Sequence, residues 1–230
     1  MSTKTEVEPV VSIIEVEPVV SIIILSWNSW EDTLECLESV YQINYLNYNL
    51  IVVDNASQDG SVEKIEEYCK GEIEVQSNFF NFKSDNKPIE IIKIPEDSSE
   101  FNINEENLDS PQFNINEEIL DLPSDRKLFL IENRENYGYA EGNNVGIREA
   151  LKIFDPEYIL LLNNDTVVDE NFLKRLVEIA QNDPLAGVLN PKILDHDQPQ
   201  KIHSVGGRII WSLGVGENIG YEKIDEGQYH

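Results

Sequence analysis

Four short apolar runs, each closed by polar residues and followed by a helical pattern, constrain this chain more than any other feature. Residues 19–26 are β-branched and apolar and close on Ser26, Trp27 and Asn28. Residues 49–53 close on Asp54 and Asn55. Residues 127–131 lead into a segment, 136–146, rich in Gly, Asn and Ala. Residues 158–162 close on Asn163, Asn164 and Asp165. Short apolar runs of this kind are buried strands. Helical spacing follows at 30–42 through Leu34, Leu37 and Tyr41, and at 61–69 through Val62, Ile65 and Tyr68. Further helices are predicted over 145–153 and over 169–181, the latter capped at Asp169. A short strand is predicted over 186–189, with loops and a hairpin beyond Pro191, where glycines recur. Alternating strands and helices imply βαβ units, a parallel sheet and an α/β fold. All four polar strand ends then lie on one edge, where open α/β sheets bind ligands.

The fourth strand end is chemically the richest. In YILLLNNDTVV, Asp165 stands beside two amides and the Thr166 hydroxyl. The residues allow an Asx turn before a capped helix. They equally allow a seat for a hard divalent cation such as Mg²⁺ or Mn²⁺, which takes oxygen ligands and often only one or two carboxylates beside substrate phosphates. Asp54 offers a carboxylate to the N–H or O–H donors of a base or ribose, or serves as a turn residue. Gly138, Ala140 and Gly142 leave room for a ligand near the backbone, or are ordinary loop residues. Neither the dinucleotide fingerprint nor the P-loop pattern is present. His196 and His203 have no metal-like spacing and read as surface or structural residues.

Charge narrows the partners. Of the 230 residues, 17 are Lys or Arg and 44 are Asp or Glu, a net charge of −27. This argues against a nucleic-acid partner and against direct contact with an anionic membrane. A phosphate-bearing ligand then needs a metal or helix N-termini. Cys36 and Cys69 fit no metal motif and point to a reducing, cytoplasmic setting. No apolar run reaches the roughly 18 residues of a membrane span, and the acidic N-terminus is not a signal peptide. EVEPVVSII occurs twice in tandem, and FNINEENLDSP is followed by FNINEEILDLP. Both read as local duplications, since solenoids need three or more longer repeats. The expected organisation is a loose N-terminal tail, 1–17, and one α/β domain, 18–230. That domain carries an acidic, partly disordered insertion over 71–126, with a strand at 89–94.

Four blocks carry a resemblance: VSIIILSWNSWEDTLECLESV, LIVVDNASQDGSVE, ENYGYAEGNNVGIREAL and YILLLNNDTVVDENFL. In this order they resemble glycosyltransferase family 2, most of all its rhamnosyltransferase-like branch. The match covers 19–69 and 127 to about 220, skipping the tail and the insertion. The resemblance implies a GT-A fold and transfer of a sugar from a nucleoside-diphosphate donor, UDP- or dTDP-linked, to a glycan or lipid-linked acceptor. It implies that Ser26 and Asn28 line the nucleotide pocket and that Asp54 holds the base. Asn136, Gly138 and Asn144 would shape the nucleotide and diphosphate side, with Trp27, Asn55 and Asn163 among the substrate-binding positions. Asn163-Asn164-Asp165 stands where the family has an Asp-x-Asp motif, so Asp165 would bind Mg²⁺ or Mn²⁺ and Asn164 would reach the ribose. The first Asp of that motif is Asn163 here.

Bond cleavage in such a donor builds negative charge on the leaving diphosphate, which a divalent cation stabilises as a Lewis acid. An inverting transferase also needs a carboxylate base for the acceptor hydroxyl. In the family that base lies well downstream, so it is expected beyond His230; Asp225 and Glu226 are the last acids of the chain. The chain thus reads as the donor-binding part of a metal-dependent, inverting transferase, with the acceptor part and any peripheral membrane contact in missing segments. The alternatives are a nucleotide-sugar-binding fragment without turnover, and an acidic interaction protein whose insertion is the working part.

Overall fold

The computed structural model describes residues 17–96 and 120–229. The first EVEPVVSII copy and most of the second duplication lie outside the described residues. In chain order the elements of the central unit are β1 (Val20–Ser26), α1 (Trp30–Val40), β2 (Tyr48–Asp54), α2 (Ser61–Lys70), β3 (Glu90–Ile94), β4 (Lys127–Glu132), α3 (Gly138–Phe154), β5 (Tyr158–Asn163) and α4 (Phe172–Asn182). The five strands make one sheet in the order β3-β4-β2-β1-β5. Every pairing in it is parallel. The strand expected at 89–94 is present as the edge strand β3.

Alternation along the strands explains why both faces are covered. Ile22, Ile24, Leu50, Val52, Leu128 and Leu130 face one way and pack on α1, α2 and α4. Ile23, Ile51, Val53, Phe129 and Ile131 face the other way and pack on α3 through Val145 and Ala150. A strand buried on both faces must be apolar at nearly every position, which is the run-like pattern of the sequence.

Three expectations need correction. The third helix starts at Gly138, not at residue 145. Gly142 and Gly146 read as loop residues by propensity, but they form the contact between helix and sheet. A Cβ on Gly142 would lie 2.6 Å from Leu25 Cδ1, and one on Gly146 2.7 Å from Ile23 Cγ2. Close packing, not loop structure, selects glycine there, overriding its roughly 1 kcal/mol helix cost. The fourth helix starts at Phe172 and is not capped by Asp169. The Asp169 carboxylate instead accepts the Asn171 N–H at 2.9 Å, an Asx turn ahead of the helix. Residues 186–189 form no strand; Leu185 and Val188 are each 92% exposed, so nothing there rewards pairing.

The described part of segment 71–96 is fastened to the core by a buried charge. Glu38 on α1 is 1% exposed. Its carboxylate accepts from Tyr68 Oη at 2.8 Å, Gln42 Nε2 at 2.8 Å and the Lys83 N–H at 2.9 Å. Lys87 Nζ lies 3.4 Å from Glu38 Oε2 and 4.0 Å from the centre of the Tyr68 ring. Beyond α4 come the short antiparallel pair β6 (Ile193–Leu194) and β7 (Ile202–Ser204). The expected hairpin follows as β8 (Gly207–Ile210) and β9 (Val215–Asn218).

Candidate functional site

The register brings the strand ends level. Ser26 pairs with Asp54, Leu25 with Asn163, and Asp54 with Glu132. The loops leaving these ends are laced together by side chains. Asn28 adopts φ +52, a left-handed conformation that Asn tolerates. Its amide oxygen accepts the Gln58 N–H at 2.7 Å, and its own N–H donates to Ser57 Oγ at 3.0 Å. This ties the loop after β1 to the loop after β2. Trp27, 53% exposed, stands beside it.

Asp54 is the most unusual group on this edge. It is 3% exposed. One carboxylate oxygen accepts the Ser57 N–H at 3.0 Å, while the other, Oδ1, is buried without a hydrogen-bond partner. Burial pushes this carboxyl above its ordinary range, with the Ser57 hydrogen bonds opposing and the charges of Glu132 and Asp59 adding. A buried acceptor left open is costly to the fold and is a ready receptor for a ligand donor.

Asn55 beside it is spent on architecture. It is 2% exposed. Its amide oxygen accepts from Asn133 Nδ2 at 3.0 Å and from the Tyr137 N–H at 3.1 Å. Its amide nitrogen donates to Asn136 Oδ1 at 2.7 Å. Asn136 Oδ1 also accepts the Gly138 N–H at 2.8 Å. Asn55 thereby holds the loop between β4 and α3 against the end of β2. Gly138 opens α3 at φ +75, and a Cβ there would meet nothing within 4 Å, so its backbone faces open space. Asn144 lies in the second turn of α3. At 3.6 residues per turn it falls on the face of α3 opposite Gly142 and Gly146. There it is exposed and donates to Glu141 Oε2 at 3.1 Å.

The end of β5 is held from two sides. Asn163 Oδ1 accepts from the Tyr139 hydroxyl at 3.0 Å, and the Asn163 carbonyl accepts from Thr166 Oγ1 at 2.7 Å. Asn164 Nδ2 donates to Ser29 Oγ at 2.7 Å and to Thr33 Oγ1 at 3.0 Å. Its nitrogen is therefore committed to α1, and only its amide oxygen is left to offer a ribose hydroxyl. Ser26 Oγ, fully buried, lies 2.9 Å from the same Thr33 hydroxyl. Asp165 is exposed. Its charge reaches Asp32 in the first turn of α1, whose carboxyl is raised by burial first and by Asp165 second. Among the described residues no three His, Cys, Asp or Glu side chains come together as a ready cage for a metal. The donor set at Asp165 is hard oxygen, and it suits a cation that takes its remaining ligands from phosphate and water.

Sequence reasoning missed Thr33, Ser29, Ser57, Asn133 and Tyr139. Only the Ser29–Thr33 pair leaves a local trace, as a serine and threonine one turn apart at a helix start. The late acid Asp225 is engaged by Lys192 at 2.6 Å. His196 packs edge-on against Phe79 at 4.8 Å, and His203 against Tyr221 at 5.8 Å. No helix among the described residues is long and apolar enough to cross a membrane.

Comparison with known proteins places this edge in context. Over 70 residues, 30% of the chain, it is 31% identical to the low-salt glycan biosynthesis hexosyltransferase Agl10 of Haloferax volcanii, and covers 22% of that protein. Its fold is similar to that of the mannosyltransferase PcManGT from Pyrobaculum calidifontis, solved in complex with GDP-Man and Mn²⁺. The TM-score is 0.50 at 18% identity, over 78% of this chain and 37% of that one. The S. aureus protein TarS is also similar, at a TM-score of 0.41 and 16% identity, over 71% of this chain and 19% of that one. The chain thus spans between about a fifth and two fifths of the lengths of these proteins. Its parallel sheet with helices on both faces is a GT-A fold. The model of glycosyl transferase family 2 matches residues 21–91 and 114–211, well over half of the chain, and the chain belongs to that family.

Proposed function

We propose that this chain is the donor-binding part of a metal-dependent, inverting glycosyltransferase of the rhamnosyl- or hexosyl-transferring kind. The observation that carries the reading is the pairing of two carboxylates on one sheet edge. Asp54 is buried with an open acceptor oxygen, and Asp165 is exposed beside the N-terminus of α1. The first suits the N–H donors of a base; the second suits the cation on a diphosphate. Asn28 and Ser57 hold the loops around the base, and Asn55, Asn136 and Gly138 shape the side where the nucleotide approaches α3. A bound Mg²⁺ or Mn²⁺, held by Asp165, would supply Lewis-acid stabilisation of the leaving diphosphate. The surplus of acid over base in the chain makes such a cation the natural counterion for a polyanionic donor. The Mn²⁺ and GDP-Man of PcManGT and the hexosyltransferase activity named for Agl10 support the same reading.

The donor on this reading is UDP-, dTDP- or GDP-linked, and the acceptor a glycan or a lipid-linked sugar. We also infer a cytoplasmic setting, supported by two free, buried cysteines. The organisation inferred is a tail over 1–17, and a GT-A unit over 18–230 bearing an acidic insertion at 71–126. A second reading, donor binding without turnover, is favoured by the engagement of Asp225 with Lys192, which leaves Asp225 poorly suited as a base. Calorimetric titration with UDP, dTDP and GDP in Mn²⁺ tests the donor claim. Binding of at least one is expected, and binding of none overturns it. Release of nucleoside diphosphate from a bound donor sugar on adding acceptor separates enzyme from binding fragment.

A further inference from the structure

We propose that Thr33 is a positioning residue for Asp165, acting through Asn164. The inference rests on the reading of Asp165 as the cation ligand. Thr33 is fully buried on the first turn of α1. Its hydroxyl donates to the Ser29 carbonyl at 2.8 Å. With its single hydrogen spent, it must accept from both Ser26 Oγ at 2.9 Å and Asn164 Nδ2 at 3.0 Å. The other hydrogen of the Asn164 nitrogen goes to Ser29 Oγ at 2.7 Å. One hydroxyl therefore joins the ends of β1 and β5 to the start of α1.

The consequence falls on the neighbouring residue. Asp165 follows the fixed Asn164 and precedes Thr166, whose hydroxyl closes the turn onto the Asn163 carbonyl at 2.7 Å. The backbone is pinned on both sides of an exposed carboxylate. Asp32, next to Thr33, faces Asp165 with like charge. The Thr33–Asn164–Ser29 contacts hold the β5 turn against the start of α1. They keep Asp165 beside a second negative charge, where a dication is most strongly attracted. A buried threonine hydroxyl needs partners wherever it sits; here two of the three, Ser26 and Asn164, lie at the ends of β1 and β5.

The test is Mn²⁺ affinity, read from the EPR signal of free Mn²⁺ with the protein alone and with GDP or UDP. Groups that orient a metal ligand typically contribute about 10-fold or more to metal affinity. Thr33→Val keeps the shape and removes the hydroxyl; about 10-fold weaker Mn²⁺ binding by the protein alone is expected. Thr33→Ser restores the hydroxyl and should restore the affinity. Ser29→Ala, at a partly exposed site, should weaken Mn²⁺ in the same direction and carries the test if Thr33→Val does not fold. Wild-type Mn²⁺ affinity in folded Thr33→Val or Ser29→Ala, or no recovery in Thr33→Ser, overturns the inference. Asp165→Ala is the control. If it loses Mn²⁺ while Thr33→Val does not, only the role of Thr33 fails; if it too binds Mn²⁺ normally, the reading of Asp165 fails.

Discussion

Asp54→Asn should separate function from stability. The carboxylate is buried, and only Oδ2 has a hydrogen-bond partner, the Ser57 N–H. Leaving a buried polar atom unpaired costs about 1–3 kcal/mol, and a hydrogen bond to a charged group contributes about 1.5–3 kcal/mol. A base donor on Oδ1 therefore contributes an affinity factor of about 10 to 150. Asn retains an oxygen for Ser57 but puts a donor, not an acceptor, at the open position. Nucleotide affinity should fall by that factor, while urea denaturation of the unligated protein shows stability unchanged or raised by about 1 kcal/mol. The pH dependence has a defined sign. Burial raises the folded-state carboxyl above its unfolded value. The group therefore penalises the fold at neutral pH, and the penalty fades as pH falls through the raised folded value. Asp54→Asn should remove that part of the profile. If the variant loses stability and binds nucleotide as tightly as wild type, Asp54 is a structural turn residue and the reasoning is wrong.

Three further outcomes follow from the same contacts. Lys87→Met leaves the Glu38 charge buried without its cation and should lower stability by about 3 kcal/mol in urea denaturation. Adding Glu38→Gln should recover much of that loss; no recovery would show that Lys87 acts through packing on Tyr68 alone. Gly146→Ala sets a helix gain of about 1 kcal/mol against an overpacking cost of about 1–3 kcal/mol, because Ile23 Cγ2 and Val53 Cγ2 are stiff neighbours. Net destabilisation is expected, and a raised melting temperature would mean that α3 lifts freely from the sheet. Gly138→Ala meets no steric neighbour but places a Cβ at positive φ, so it should cost about 1–2 kcal/mol by urea denaturation. A neutral result would show that the start of α3 relaxes.

The strands and their polar ends were legible because two-sided burial leaves an unbroken apolar run, and a ligand edge leaves an abrupt polar stop. The start of α3 was not, because Gly142 and Gly146 answer to Leu25, Ile23 and Val53 on distant strands. Asp169 looked like a helix cap and is an Asx turn two residues too early, a difference of local geometry that residue type does not encode. At the site, Asp54 and Asp165 stood out by charge at a strand end. The residues that hold them did not. Thr33 meets Asn164 across 131 positions of sequence, and Asn55 meets Asn136 across 81. Asn55 and Asn164 look like ligand residues by type, yet the fold uses much of their hydrogen-bonding capacity to lace its own loops. Such assignments depend on which partner the fold supplies, and spacing along the chain does not carry it.

The most direct measurement of the central claim is calorimetric titration of wild type and Asp165→Ala with GDP, UDP and dTDP, in Mn²⁺ and in EDTA. The account predicts that Mn²⁺ tightens nucleotide binding to wild type and that Asp165→Ala loses this increment while binding as wild type does in EDTA. Equal Mn²⁺-dependent binding by Asp165→Ala would contradict it.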